Sequence, residues 1–495
     1  MLGDLILAAW LAAIVAVGYQ VNAHNPVCAP VLFALPFLAA VANGLTNYEL
    51  WEFSLSINTI LVVGISGSLI LLASILIKKI MRGSWIDHSQ FEYYSVKPLY
   101  IPVALYVIGL AISIITVPLL LGQMESLVIA YNESAGLPPR ENLDGFLSVI
   151  NAYEVRWKFT DFDMSIRGLA GQLRVCVGAL CFVWVYILIY NSLAEPRKFE
   201  WPAFANLLIG MGVTLLTGGR AGIINYAISA LVIYCMLKTN QHARILTPKT
   251  LGILLALLVS AIALFRPSLA LIGREASEYS LSQYIGIYLG APLKNYDSYL
   301  RGTLSSPGIP TSDVWGEASF SNFATSLSHW FGIEVSSHVA RQPYQTINGQ
   351  DLGNVYTGLL SPTLDWGPVG AAVYYFVWGL LIQWCYEKCI SHGRHIKSVG
   401  WTFDLANLAY GFIAYNLMFT FFSNWLGESV VNTGFFRNLI IWGMVVWVIR
   451  IVQPNSGKFD RGQLVLGAQR LIENIRSFGR TSSQGTLQPR KKNPS

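Results

Sequence analysis

Eleven apolar runs of bilayer length, separated by short polar or basic stretches, constrain this chain more than any other feature. They lie near Leu2–Tyr19, Pro26–Leu45, Ile57–Ile77, Leu99–Leu121, Val175–Leu193, Pro202–Gly218, Ala221–Leu237, Leu251–Arg266, Trp366–Cys385, Trp401–Phe422 and Phe435–Ile451. A hydrocarbon core about 30 Å thick is crossed by about 20 apolar residues in helical form. Lipid offers backbone N–H and C=O groups no partner, so a spanning segment must satisfy them within its own helix. The runs therefore predict an all-α polytopic membrane protein with about 11 transmembrane helices. Composition agrees: 12% of the 495 residues are charged, half the roughly 25% of a soluble domain. The first run lacks a basic n-region and a small-residue cleavage site, so it reads as a retained span.

Basic loops stay cytoplasmic. Lys78, Lys79, Arg82 and Lys97 mark one such loop, Arg197 and Lys198 the next, then Lys238, Arg244 and Lys249, then Lys388, Arg394 and Lys397. With the tail from Arg450 to Lys492, that face holds 21 of the 33 Lys+Arg and about 8 of the 27 Asp+Glu. The expected map has a cytoplasmic C-terminus and a periplasmic N-terminus in a bacterial inner membrane. The net charge of +6 reports this orientation; the partner it implies is the lipid bilayer, and no nucleic acid is expected. The chain divides into a transmembrane domain over 1–452 and a cytoplasmic basic tail over 453–495. The tail carries Leu464, Ala468, Leu471, Ile472 and Ile475 at the spacing of a helix lying on a membrane surface. Two outer segments are long: Gly122–Arg174, and a large periplasmic loop over 266–365. A structureless loop of that length is unusual, so the second is expected to fold as short helices on the mouth of the bundle.

No phosphate-binding or dinucleotide motif occurs on the cytoplasmic side. The six cysteines show neither CxxC nor Cys/His metal spacing and read as small apolar fillers. No cofactor or metal is expected, and any chemistry belongs on the outer face. There the sharpest signal is Thr217-Gly218-Gly219-Arg220-Ala221-Gly222, an outer turn that breaks two apolar runs. Arg220 opens the descending helix, where the glycines and the helix dipole favour an anion. Such an arginine is either a phosphate seat or a cation snorkelling to the interface. Arg266, Arg274, Lys294, Arg301 and Arg341 lie at the same level or along the loop. Arginine suits phosphate because its planar fork donates two hydrogen bonds and stays charged; a local ion pair, such as Arg274 with Glu275, is the plainer account. His329 and His338 are loop histidines, the latter three residues before Arg341. Asp365 sits where a span begins, placed either to bind a sugar hydroxyl or to cap the helix entered at Trp366.

These residues resemble the oligosaccharide repeat-unit polymerases of the Wzy type. The resemblance rests on the Gly-Gly-Arg-Ala-Gly turn at 218–222 and on Tyr284-Ile285-Gly286-Ile287-Tyr288 followed by Ala291-Pro292-Leu293 and Tyr296-Asp297. It rests also on Asn354-Val355-Tyr356-Thr357 running into Asp365-Trp366-Gly367-Pro368-Val369-Gly370, and on Asn25-Pro26 with Leu50 to Ser54. Arg341 departs from the family's arginine–glycine spacing, since Gly353 comes one position late. The resemblance implies a glycosyltransferase-C-like fold and a nucleotide-independent glycosyltransferase. Its substrates would be undecaprenyl-pyrophosphate-linked oligosaccharides, and its expected partner a chain-length-regulating co-polymerase. Candidate residues for the leaving group are Arg220, Arg266 and Arg274, and for the base Glu275, His338 and Asp365. Lys294, Arg341, Tyr288, Asn354, Tyr356 and Thr357 are candidates for holding substrate. An O-antigen ligase needs similar arginines and a similar loop and stays open; a transporter would show internal repeats and mid-span charges, and the absence of a clear repeat and the few mid-span charges count against that alternative.

Overall fold

The computed structural model describes residues 1–453 apart from 83–96, 142, 161, 195, 217–219, 241–244, 246, 248–279, 307–308, 310–314, 332–341 and 396–402. The span expected at Leu251–Arg266, the surface helix of the tail, and Arg266, Arg274, Glu275, His338 and Arg341 lie outside the described residues. So does the Arg220 side chain.

Fifteen α-helices and one two-stranded hairpin make up the described chain: α1 Leu2–Val21, α2 Ala29–Thr46, α3 Tyr48–Trp51, α4 Ile57–Arg82, α5 Val103–Ser134, α6 Phe146–Phe159, α7 Gly168–Leu193, α8 Trp201–Leu216, α9 Arg220–Asn240, α10 Leu281–Leu289, α11 Ala291–Arg301, α12 Ser321–Phe331, the antiparallel pair β1 Gln345–Ile347 and β2 Gln350–Gly353, then α13 Leu360–His395, α14 Leu405–Met418 and α15 Thr433–Val452. A 3-10 turn at Phe419–Phe421 and a π-turn at Leu426–Val430 join the last two helices. Eight helices are long and apolar enough to cross a membrane: α1, α2, α4, α5, α7, α9, α13 and α15. Trp201–Leu216 and Leu405–Phe421 are apolar but shorter. The chain is thus an all-α protein of multi-pass membrane character.

Packing follows the rules of helices in lipid, where small residues permit close approach and polar side chains join neighbours. α13 runs along α4, and a Cβ at Gly379 would stand 3.0 Å from the Ala73 Cβ. Gln383 of α13 donates to Asn22 Oδ1 at 2.9 Å, and Asn22 donates to Ser74 of α4 at 3.0 Å. α1, α4 and α13 are thereby joined by amides buried in the bundle. α7 packs on α5, α8 and α9, with the Phe182 ring 5.0 Å from Tyr226 and 5.5 Å from Trp442 of α15.

Two elements exceed their expected lengths. α5 runs 32 residues, continuing past Leu121 to Ser134. Nothing between those positions stops a helix; the stop comes at Gly136, with φ of 69°, followed by Pro138 and Pro139. At 1.5 Å per residue α5 is about 48 Å long, so part of the segment expected as a loop is helix. α6 folds back on its end: Arg156 reaches Asn132 Oδ1 with two nitrogens at 3.0 and 2.7 Å, and Tyr153 donates to the Met164 carbonyl at 2.8 Å. α13 begins at Leu360, six residues before the expected start, and bends at Gly367, where φ is 72° and ψ is 179°. That conformation suits glycine. Pro368 follows as the first residue beyond the bend, where a missing N–H does little harm.

The segment 281–365 covers one end of the bundle, here termed the loop end. α10 opens with a reciprocal cap, Gln283 N–H to Ser280 Oγ at 3.3 Å and Ser280 N–H to Gln283 Oε1 at 2.9 Å. α11 is buried from Ala291 to Ser298 and tied by polar bonds to distant elements. Asp297 Oδ1 accepts from Ser56 N–H and Thr59 Oγ1, both at 2.7 Å, and its other oxygen pairs with Arg301 Nε at 2.8 Å. Asn295 donates to the carbonyls of Leu352 and Val355, and the Tyr296 hydroxyl lies 2.9 Å from Thr363 Oγ1.

Candidate functional site

At the loop end, Asn424 organises three strands of chain that meet beside the kink of α13. It donates to the Ser319 carbonyl at 3.0 Å, while its own Oδ1 accepts from the Tyr374 hydroxyl at 3.1 Å and from Gly427 N–H at 3.3 Å. A Cβ at Gly427 would overlap the Ser319 carbonyl oxygen, so only glycine allows the π-turn to seat there. Asp365 holds the same segment from the other side: its two oxygens accept from Ala318 N–H at 3.1 Å and Ser319 N–H at 2.7 Å. It does not cap the helix entered at Trp366; it anchors residues 318–319 against α13.

Over this frame lies an aromatic cluster. The Trp366 ring stands 5.3 Å from Trp315, 6.1 Å from Phe320 and 5.8 Å from Tyr374. Trp315 is 83% exposed, an unusual amount of bare ring for a soluble surface. Trp366 Nε1 and Ser319 Oγ are buried atoms with no hydrogen-bond partner among the described residues. Buried polar atoms normally have one, so both are available to something that enters here.

Glu428 sits in the π-turn directly after Gly427. The turn is held from both sides, Asn322 donating to the Glu428 carbonyl at 2.8 Å and Asn432 at 3.1 Å. Its carboxyl meets no donor and no cation among the described residues, and burial pushes it up to about 7. It shares electrostatic range of Tyr374 with Asp365. The contrast between the two acids is one of occupancy: Asp365 has both oxygens engaged by backbone N–H groups, and Glu428 has neither engaged.

Two arginines lie within electrostatic range of one another at the same end. Arg437, in the first turns of α15, donates to Gln172 Oε1 at 2.7 Å and to Thr433. Its charge bears on Arg174, two residues along α7 from Gln172 and so about 200° round that helix. Neither has a carboxylate partner among the described residues. Tyr226 of α9 packs against Gly178 and Phe182 of α7. Arg220 lies six residues before Tyr226, and Arg174 four to eight before that contact. At 1.5 Å per residue the two backbones reach the same depth, so α7, α9 and α15 each bring an arginine to one level of the loop end. Glu428 and Arg437 are joined by the short turn that Asn432 caps, accepting from Gly434 N–H at 2.8 Å.

The other sequence candidates have structural occupations. Lys294 donates to the Glu52 carbonyl at 2.7 Å, and burial holds its ammonium below the usual lysine range. Tyr288 stacks on Phe422 at 5.7 Å and 8°. Tyr356 donates to the Pro343 carbonyl at 3.0 Å, its hydroxyl pushed up to about 12 by burial. Asn354 is half-buried, and Thr357 is buried with an unpartnered hydroxyl. Arg174, Arg437 and Glu428 were not singled out in the sequence. The available signal was isolation: Glu428 is the lone charged residue between Asp404 and Arg437. Among the described residues no three His, Cys, Asp or Glu side chains gather as metal ligands. No protein-family model, no curated protein and no solved structure matches the chain.

Proposed function

We propose that the protein polymerises undecaprenyl-pyrophosphate-linked oligosaccharide repeat units on the periplasmic face of the bacterial inner membrane, in the synthesis of O-antigen, capsule or exopolysaccharide. In this reading the fold is of the glycosyltransferase-C type with eleven spans, the loop end faces the periplasm, and a chain-length-regulating co-polymerase is the partner. What supports it is that Arg174 and Arg437 lie within electrostatic range, neither with a carboxylate partner among the described residues, near the depth where the Arg220 backbone opens α9. Two like charges brought together in a bundle repel unless an anion joins them, and a pyrophosphate offers each a bidentate face. The donor carries its own activation, because its leaving group is the lipid pyrophosphate. The protein need only hold that departing charge, align an acceptor hydroxyl and take its proton.

A strain lacking the protein tests the reading by gel analysis of its surface polysaccharide. Single repeat units on lipid A core are expected in place of long chains. Long chains retained on undecaprenol, with none on lipid A, would instead identify a ligase.

A further inference from the structure

We propose that the aromatic cluster and the π-turn form the acceptor subsite, with Trp315 and Trp366 presenting a face to a sugar ring and Glu428 taking the proton of its attacking hydroxyl. This rests on the polymerase reading and names the half of the reaction that the arginines leave unassigned. Four observations converge at one place. Trp315 offers an almost bare ring tilted at 59° beside Trp366. Trp366 Nε1 and Ser319 Oγ are buried and unpartnered, and a sugar's hydroxyls can accept from the first and exchange bonds with the second. Gly427 and Asn424 fix the turn against Ser319, so the Glu428 backbone is held to the same segment that carries Trp315. The Glu428 carboxyl has no donor competing for its oxygens, whereas Asp365 is fully engaged in holding the frame.

The chemistry balances with no further reagent. An acceptor hydroxyl oxygen forms a bond to the anomeric carbon of the donor sugar, and its proton passes to a Glu428 oxygen. The bond from that carbon to the pyrophosphate oxygen breaks, and its electron pair leaves with the lipid pyrophosphate, which the arginines hold. Glu428 then releases the proton to water. A carboxyl that changes charge near neutrality is suited to such a transfer, being ionised before attack and basic enough to accept.

The test is elongation by the full-length protein in liposomes. The substrate is lipid-linked repeat unit extracted from the strain that lacks the protein. E428Q should lower turnover by about 10²- to 10⁴-fold with KM little changed, and E428D should recover part of it. Wild-type turnover should rise with pH through about 7, and the residual activity of E428Q should lose that rise. W315A should raise KM for the acceptor about three- to tenfold and leave turnover intact. Each variant is compared at equal membrane abundance and equal gel-filtration profile, and E428A serves if E428Q does not accumulate. Wild-type protein that elongates while E428Q, or E428A in its place, matches it in rate and pH profile overturns this assignment alone. Wild-type protein that elongates nothing overturns the polymerase reading and this assignment together.

Discussion

Arg220 shows what a single side chain can test. Lysine keeps the charge but loses the planar fork, so a pyrophosphate seat distinguishes the two where an interfacial cation would not. Arg220→Ala should lower polymer formation by about 10²- to 10³-fold, Arg220→Lys by less, with membrane abundance unchanged in both. Full-length polymer from Arg220→Ala would remove the residue from the site. Arg174→Ala and Arg437→Ala should each show a similar loss. Glu428 makes a separate prediction, about stability. Below pH 4.5 its carboxyl is protonated folded or unfolded and contributes nothing. Between pH 4.5 and about 7 the unfolded chain releases that proton and the folded chain retains it, so stability falls as pH rises; above about 7 the loss is complete. Glu428→Gln should therefore match the wild type in unfolding temperature at pH 4.5 and exceed it at pH 8. A wild type that equals or exceeds it at pH 8 would contradict the burial on which that shift depends.

Among the elements, α11 gives the clearest separation between what sequence reveals and what packing decides. Its motif residues were legible as a cluster, yet their roles were not. Lys294 looked like a cation for substrate and is a tie to the Glu52 carbonyl; Asp297 looked like part of a motif and is the buried acceptor for α4. Such partners lie about 240 residues away in the chain, beyond any local periodicity. Asp297→Ala leaves Ser56 N–H and Thr59 Oγ1 without their acceptor and Arg301 without its counter-charge, and should cost on the order of 2–4 kcal/mol. Thermal unfolding in detergent measures it. Arg301, more than a third exposed, should lose far less on substitution by alanine. The apolar helices, by contrast, were readable because their signal is local: ten of the eleven runs fall on described helices, eight of them long and apolar enough to cross a membrane. α5 and α13 departed from that pattern. Hydropathy marks where lipid ends, while a helix ends where a glycine or proline stops it. The arginine pair was illegible for a related reason. Arg174 and Arg437 carry no motif, and only the packing of α7 on α15 brings them together.

For the whole molecule, the basic loops predict an orientation that two reporter fusions check. One placed after Lys249 should report the cytoplasm and one after Ser312 the periplasm; the same compartment for both would undo the map. The fold also dictates a timetable. Buried polar groups of the turn between α1 and α2 have partners far down the chain: Asn25 pairs with Thr239, Asn22 with Gln383, and the Val27 carbonyl with Tyr410, 383 residues later. A ribosome delivers those early helices long before the groups that complete them exist. Until then the polar groups of that turn lack the partners they have in the finished fold. A chain cut short before α14 would keep its apolar character and yet leave the Val27 carbonyl without the Tyr410 hydroxyl that satisfies it.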